Sequence, residues 1–116
     1  MPRKDSILRR KSESFADRIV KLQRFIVTQG ENVMSKQIYR SGTSIGANIR
    51  EAIYGQTTAD FFAKMCIALK EASETSYWLE LLHESGYLDD KSFDSINSDC
   101  IELLKLLTSI TKKCKE

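Results

Sequence analysis

Apolar residues recur along this chain at helical rather than strand spacing. Phe15, Ile19, Leu22 and Ile26 step by four, three and four, lining one face of a helix. They predict a first helix from Ser12 or Ser14 to Gln29, with Gly30 just past its end. Residues 1–11, a basic segment with Arg3, Lys4, Arg9, Arg10 and Lys11, either fray or extend this helix through Ile7 and Leu8. Met34, Ile38, Ile45, Ile49 and Ile53 mark a second helix, Met34 to Tyr54, ended by Gly55. Phe61, Met65, Ala68, Ala72, Thr75, Leu79 and Leu82 form a heptad seam on a third, Thr58 to Ser85. Thr57 with Asp60 resembles a capping box at its start. Phe93, Ile96, Cys100, Leu103, Leu107, Ile110 and Cys114 continue the pattern on a fourth helix, Asp90 to Lys113. Asp89 is its N-cap, Leu88 with Phe93 fits a hydrophobic staple, and Lys112, Lys113 and Lys115 suit the negative end of its dipole.

Four amphipathic helices with short loops predict an all-α, antiparallel up-down-up-down four-helix bundle over residues 12–116, preceded by the segment 1–11. The third and fourth helices are expected to outlast the first two. Gly42 and Gly46 lie inside the second helix, each costing about 1 kcal/mol relative to alanine, so they imply a packing reason. A hairpin about Gln56 sets them opposite Ala68–Ala72, small surface against small surface. The GxxxG spacing is not that of a membrane pair, because its flanks are polar.

Composition narrows the setting. One proline and five glycines in 116 residues exclude a turn-rich β sandwich, and 41% hydrophobic residues exclude a disordered chain. The apolar runs are too short for a membrane span or an export signal, so a cytoplasmic location without membrane contact is expected. Cys66, Cys100 and Cys114 are odd in number and lack CxxC spacing, against a disulfide framework or a zinc site. Net charge is +2, but residues 1–30 hold eight Lys/Arg against three Asp/Glu.

Catalytic chemistry is hard to assemble from these residues. His83, near the end of the third helix, is the only histidine, so paired Glu-x-x-His di-iron motifs are excluded. The run Gly42 to Asn48 lacks the lysine of a phosphate loop, and helix runs through it. Neither an enzyme nor a cofactor is expected. The distinctive feature is a polar stripe, Ser41, Ser44, Asn48 and Glu51, flanked by Arg40, with Glu71 and Glu74 near Arg40 by hairpin counting. It is read either as a solvated face or as a partly buried hydrogen-bond network that fixes helix or subunit register.

Two features concern partners. Val20, Phe25 and Val27 lie off the main stripe of the first helix, and Phe62, Ile67, Tyr77, Trp78 and Leu81 make the third apolar almost all round. That surplus predicts self-association, the alternative being a thick single-chain core. Lys11, Arg18 and Lys21, with Arg10 and Arg24 nearby, form a basic strip that a symmetric oligomer would repeat for phosphate contacts. No RNA-recognition motif, helix-turn-helix or zinc finger is present.

The runs Ser41–Glu51, Phe61–Glu74, Leu79–Leu82 and Ser85–Leu88 resemble the bacterial four helix bundle protein family. Its members are often encoded by intervening sequences in 23S ribosomal RNA genes. The chain is also similar to the accessory variability determinant proteins of diversity-generating retroelements. The likeness spans about Phe15 to Leu107. It implies a homopentamer around a central channel, with no known enzymatic activity. It implies nucleic-acid binding through the retroelement relatives, which also contact a reverse transcriptase. Arg40, Ser44, Asn48, Glu51 and Glu74 match the family's polar positions. Arg50-Glu51-Ala52 departs from it, because the family more often has a small residue before the glutamate and glycine after it.

The expected function is therefore a non-catalytic homo-oligomer that binds ribosomal RNA or another nucleic acid through Lys11, Arg18, Lys21 and Arg24. The alternative is a protein–protein adaptor or accessory scaffold without direct nucleic-acid contact.

Overall fold

The computed structural model describes residues 3–112. Four helices make up the bundle: α1 (Arg3–Thr28), α2 (Met34–Ile53), α3 (Thr58–Glu84) and α4 (Asp90–Thr111). Both α1 and α3 pack on α2 and on α4, so the helices close a four-cornered bundle.

The first helix starts at Arg3, not at Ser12 or Ser14. The apolar stripe explains this. Leu8 and Ser12, seven and three residues before Phe15, carry the stripe back by two turns, and both are fully buried. With its 26 residues, α1 nearly equals the 27 of α3, so the expectation of two short and two long helices fails for α1. The fourth helix ends at Thr111 with Lys112 at its cap and no basic residue in its last turn. Lys113, Cys114 and Lys115 lie outside the described residues.

Caps set the other boundaries. At α3 the Thr57 hydroxyl accepts from the Asp60 N–H, and at α4 the Asp89 carboxylate accepts from the Ser92 N–H at 2.7 Å. That bond holds the Asp89 carboxyl below the usual range. The second helix has no capping side chain at Val33; instead Glu31 accepts from the Val33 and Ser35 N–H groups. After α3 the chain turns through Gly86 at φ +86°, where the Tyr87 N–H reaches the Leu82 carbonyl and the Gly86 N–H that of His83. This is a Schellman motif, which needs the left-handed conformation that glycine adopts without strain.

The core runs the length of the bundle through Phe15, Ile19 and Ile26 of α1, Ile38, Ile45 and Ile49 of α2, Met65, Leu79 and Leu82 of α3, and Leu103 and Leu107 of α4. In the small middle of the α3 seam, Ala72 meets α4. There the Cys100 thiol lies 3.6 Å from the Ala72 carbonyl. Burial pushes this thiol up to about 12, so it packs as a small hydrophobe rather than reacting.

The two internal glycines of α2 face α1, not Ala68–Ala72 of α3. A Cβ on Gly42 would come within 2.7–3.0 Å of three carbons of the Ile19 side chain. One on Gly46 would meet the Ser12 carbonyl oxygen at 3.4 Å. Counting from the hairpin placed the glycines on the wrong neighbour because it fixes height along the bundle but not the direction a residue faces. The side of α2 that meets α3 is the polar stripe.

Candidate functional site

Two groups of side chains stand out, one at the α2–α3 seam and one along the α1–α4 edge. At the seam, Ser41 and Thr75 are fully buried. Thr75 Oγ1 lies 2.8 Å from both the Ser41 hydroxyl and the Glu71 carbonyl. A carbonyl only accepts, so Thr75 gives it the single proton it has, and Ser41 donates the proton between the hydroxyls. The half-buried Asn48 donates its amide to the Ser44 carbonyl at 2.9 Å. Outside this buried layer, Arg40 bridges Glu71, at 3.1 Å, and Glu74. Trp78 Nε1 also donates to Glu74, at 2.9 Å. Glu51 is exposed and pairs with Lys64 at 3.3 Å. The Trp78 bond, then Arg40, holds the Glu74 carboxyl below the usual glutamate range.

Ser41 with Thr75, Arg40 with Glu71 and Glu74, and Glu51 with Lys64 tie α2 to α3, whereas the Asn48 bond stays within α2. A double-mutant cycle on Arg40 and Glu74 should give a coupling of about 0.5–1 kcal/mol, the range of a well-connected surface pair, since Arg40 is half exposed. The sign with pH follows from the lowered carboxyl. The contribution is complete above the unfolded-state value and is lost as pH falls through the folded one. Urea denaturation of the four proteins at pH 7 and pH 3 checks both statements.

Along the α1–α4 edge the basic strip meets acids. Lys11 Nζ lies 2.8 Å from Glu102, and Arg18 Nη1 lies 2.6 Å from Asp99. The Arg18 guanidinium also donates to the Ser95 carbonyl and, at 2.9 Å, to the Ser95 hydroxyl. Lys21 pairs with Asp17 on its own helix at 2.9 Å, and Arg24 has no ion-pair partner among the described residues. The acids were missed in the sequence, although Ser95, Asp99 and Glu102, stepping by four and three, mark one flank of a helix. The structure also shows a cleft of about 450 Å³ between α1 and the first turns of α4, lined by Arg18, Lys21, Lys91, Ser92, Ser95 and an apolar floor.

Elsewhere the chemistry is sparse. His83 Nε2 lies 2.7 Å from Asp90 and its ring stacks on Phe93 at 4.2 Å, which joins the end of α3 to the start of α4. Among the described residues no group of three His, Cys, Asp or Glu side chains could hold a metal ion. No helix there is long and apolar enough to cross a membrane.

Comparison with known proteins agrees with the bundle. No curated protein matches the chain. A crystal structure from Bacteroides thetaiotaomicron, described as a protein of unknown function from the S23 ribosomal protein family, is similar at 58% identity. The match covers 94% of this chain and 98% of that one, with a TM-score of 0.91. The family model for the 23S rRNA-intervening sequence protein matches residues 4–109. With the match spanning all four helices, the chain belongs to the 23S rRNA-intervening sequence protein family.

Proposed function

We propose that this chain is a non-catalytic cytoplasmic protein that assembles into a symmetric homo-oligomer and binds ribosomal RNA or another structured nucleic acid. The observation that carries this reading is the apolar surface left outside the core. Tyr77 is 55% exposed and packs edge-on against Trp78 at a centroid distance of 4.9 Å, with Leu81 one turn on. Ile67 on α3, Tyr39 on α2, Val27 on α1 and Ile101 on α4 add exposed apolar area. Exposed apolar side chains grouped on α3 around Tyr77 are the kind of surface that contacts between copies of a small protein cover. Five copies is the number implied by the likeness to the bacterial four helix bundle proteins and the retroelement accessory proteins.

Ribosomal RNA as partner is supported by the family's association with 23S rRNA genes and by the cations of α1. The pairing of Lys11, Arg18 and Lys21 with acids favours the second reading, an adaptor for another protein. Salt separates the two. Phosphate contacts release counterions, so affinity for a ribosomal RNA fragment should fall steeply between about 50 and 200 mM salt. Micromolar binding at low salt with that slope supports the first reading. No shift of RNA or duplex DNA at low salt leaves the adaptor.

A further inference from the structure

We propose that the cleft between α1 and the start of α4 is a nucleotide site, in which Arg18, Lys21 and Lys91 hold a phosphate and the neighbouring Phe25 stacks on a base. The proposal rests on the nucleic-acid reading above and gives it a place on the molecule. Three cations and two hydroxyls line the cleft, and no carboxylate does. Its floor is Leu22, Leu88 and Ile96, of which Leu88 and Ile96 belong to the core. Its 450 Å³ lies within the range of about 300–1,000 Å³ for small-ligand sites.

The cations are available in different ways. Arg18 uses two donors on Nη1 and one on Nη2 for Asp99 and Ser95, which fixes its plane. A guanidinium has five donors, so two are left for a ligand. Lys21 and Asp17 form a pair with both side chains more than 60% exposed, and a phosphate exchanges with such a pair easily. Lys91 makes no ion pair among the described residues, although it is near enough to Asp89 to help hold that carboxyl low.

Phe25 supplies the second element. It lies seven residues after Arg18 on the same face of α1 and is 54% exposed. Cations tracking a backbone beside an open aromatic ring are the pairing by which proteins hold single strands with little sequence preference. The site therefore takes a phosphate with an attached base, either as a free nucleotide or as one unit of a single strand. Lys11, which lies two turns before Arg18 on α1 and pairs with Glu102 of α4, and Arg24 are not part of it.

Fluorescence anisotropy of the full chain with a labelled single-stranded RNA at low salt tests the site, with AMP as the free-nucleotide probe. Phe25→Ala should weaken RNA binding about tenfold, the loss of one stacked base. Lys91→Glu should lower the salt slope by about one. Both residues are exposed, so thermal midpoints should hold, and Lys36→Glu on α2 should bind as wild type. Wild-type binding that neither cleft variant alters overturns the cleft and leaves the nucleic-acid reading in place on another surface. If wild type binds no RNA, the nucleic-acid reading fails and AMP decides the cleft. Shifts of the Leu88 and Ile96 methyl resonances on AMP titration then support a free-nucleotide site, and their absence overturns it.

Discussion

Gly42→Ala is expected to lower the thermal midpoint, while Gly46→Ala leaves it unchanged or raises it. Both substitutions remove a mid-helix glycine, and each gains about 1 kcal/mol of helix propensity. They differ in what the new methyl group meets. At Gly42 it would sit 2.7–3.0 Å from Cγ1, Cγ2 and Cδ1 of Ile19. Ile19 is fully buried, and a β-branched side chain in a helix has one strongly preferred rotamer, so it cannot swing aside. Overpacking of this kind costs about 1–3 kcal/mol, more than the propensity gain over most of that range. At Gly46 the nearest atom, the Ser12 carbonyl oxygen, is at 3.4 Å, an ordinary contact. Room for a methyl is not room for an isobutyl group, so Gly46→Leu should cost a few kcal/mol by forcing α1 away from α2. A midpoint unchanged by Gly46→Leu would place that position in open solvent.

Leu8→Ala is expected to destabilise the protein by about 2 kcal/mol, the low end of the range for a buried leucine. The low end applies because the end of a helix can relax into the space. Leu8 is fully buried, although it lies in the segment whose sequence also permitted fraying. Chemical denaturation distinguishes the cases, since truncating a frayed residue would leave the midpoint where it is.

The four helices were legible because each carries an apolar stripe and three end at glycine. The start of α1 was ambiguous for a definite reason: Ser12 interrupts the stripe between Leu8 and Phe15. Its hydroxyl donates to the Arg9 carbonyl at 2.9 Å, which lets a serine occupy a fully buried position. The partner of Gly42 and Gly46 was not legible, because a glycine has no side chain to show which neighbour it faces. The residues of the polar stripe could be read as a set, since Ser41, Ser44, Asn48 and Glu51 repeat at helical spacing. The buried bond from Ser41 to Thr75 could not, because in the sequence Thr75 is one more member of an apolar seam. The α1–α4 cleft was invisible for a similar reason. Lys91, Ser92 and Ser95 become a lining only when the bundle brings α4 beside Arg18 and Lys21.

Surface charge on α1 also reads differently once the helices are packed. A net excess of Lys/Arg in residues 1–30 suggested an open basic strip. Packing spends part of it on Asp99 and Glu102, and Arg18 and Lys21 also line the cleft beside α4. Assembly would then matter for binding, because several weak sites on one symmetric body add through effective concentration.

Sedimentation equilibrium at micromolar protein tests the central claim, that the apolar surface outside the core joins copies of this chain. The expected result is a single species several times 13.3 kDa, with five copies the number the family likeness implies. A species of 13.3 kDa across the whole concentration range would contradict the assembly.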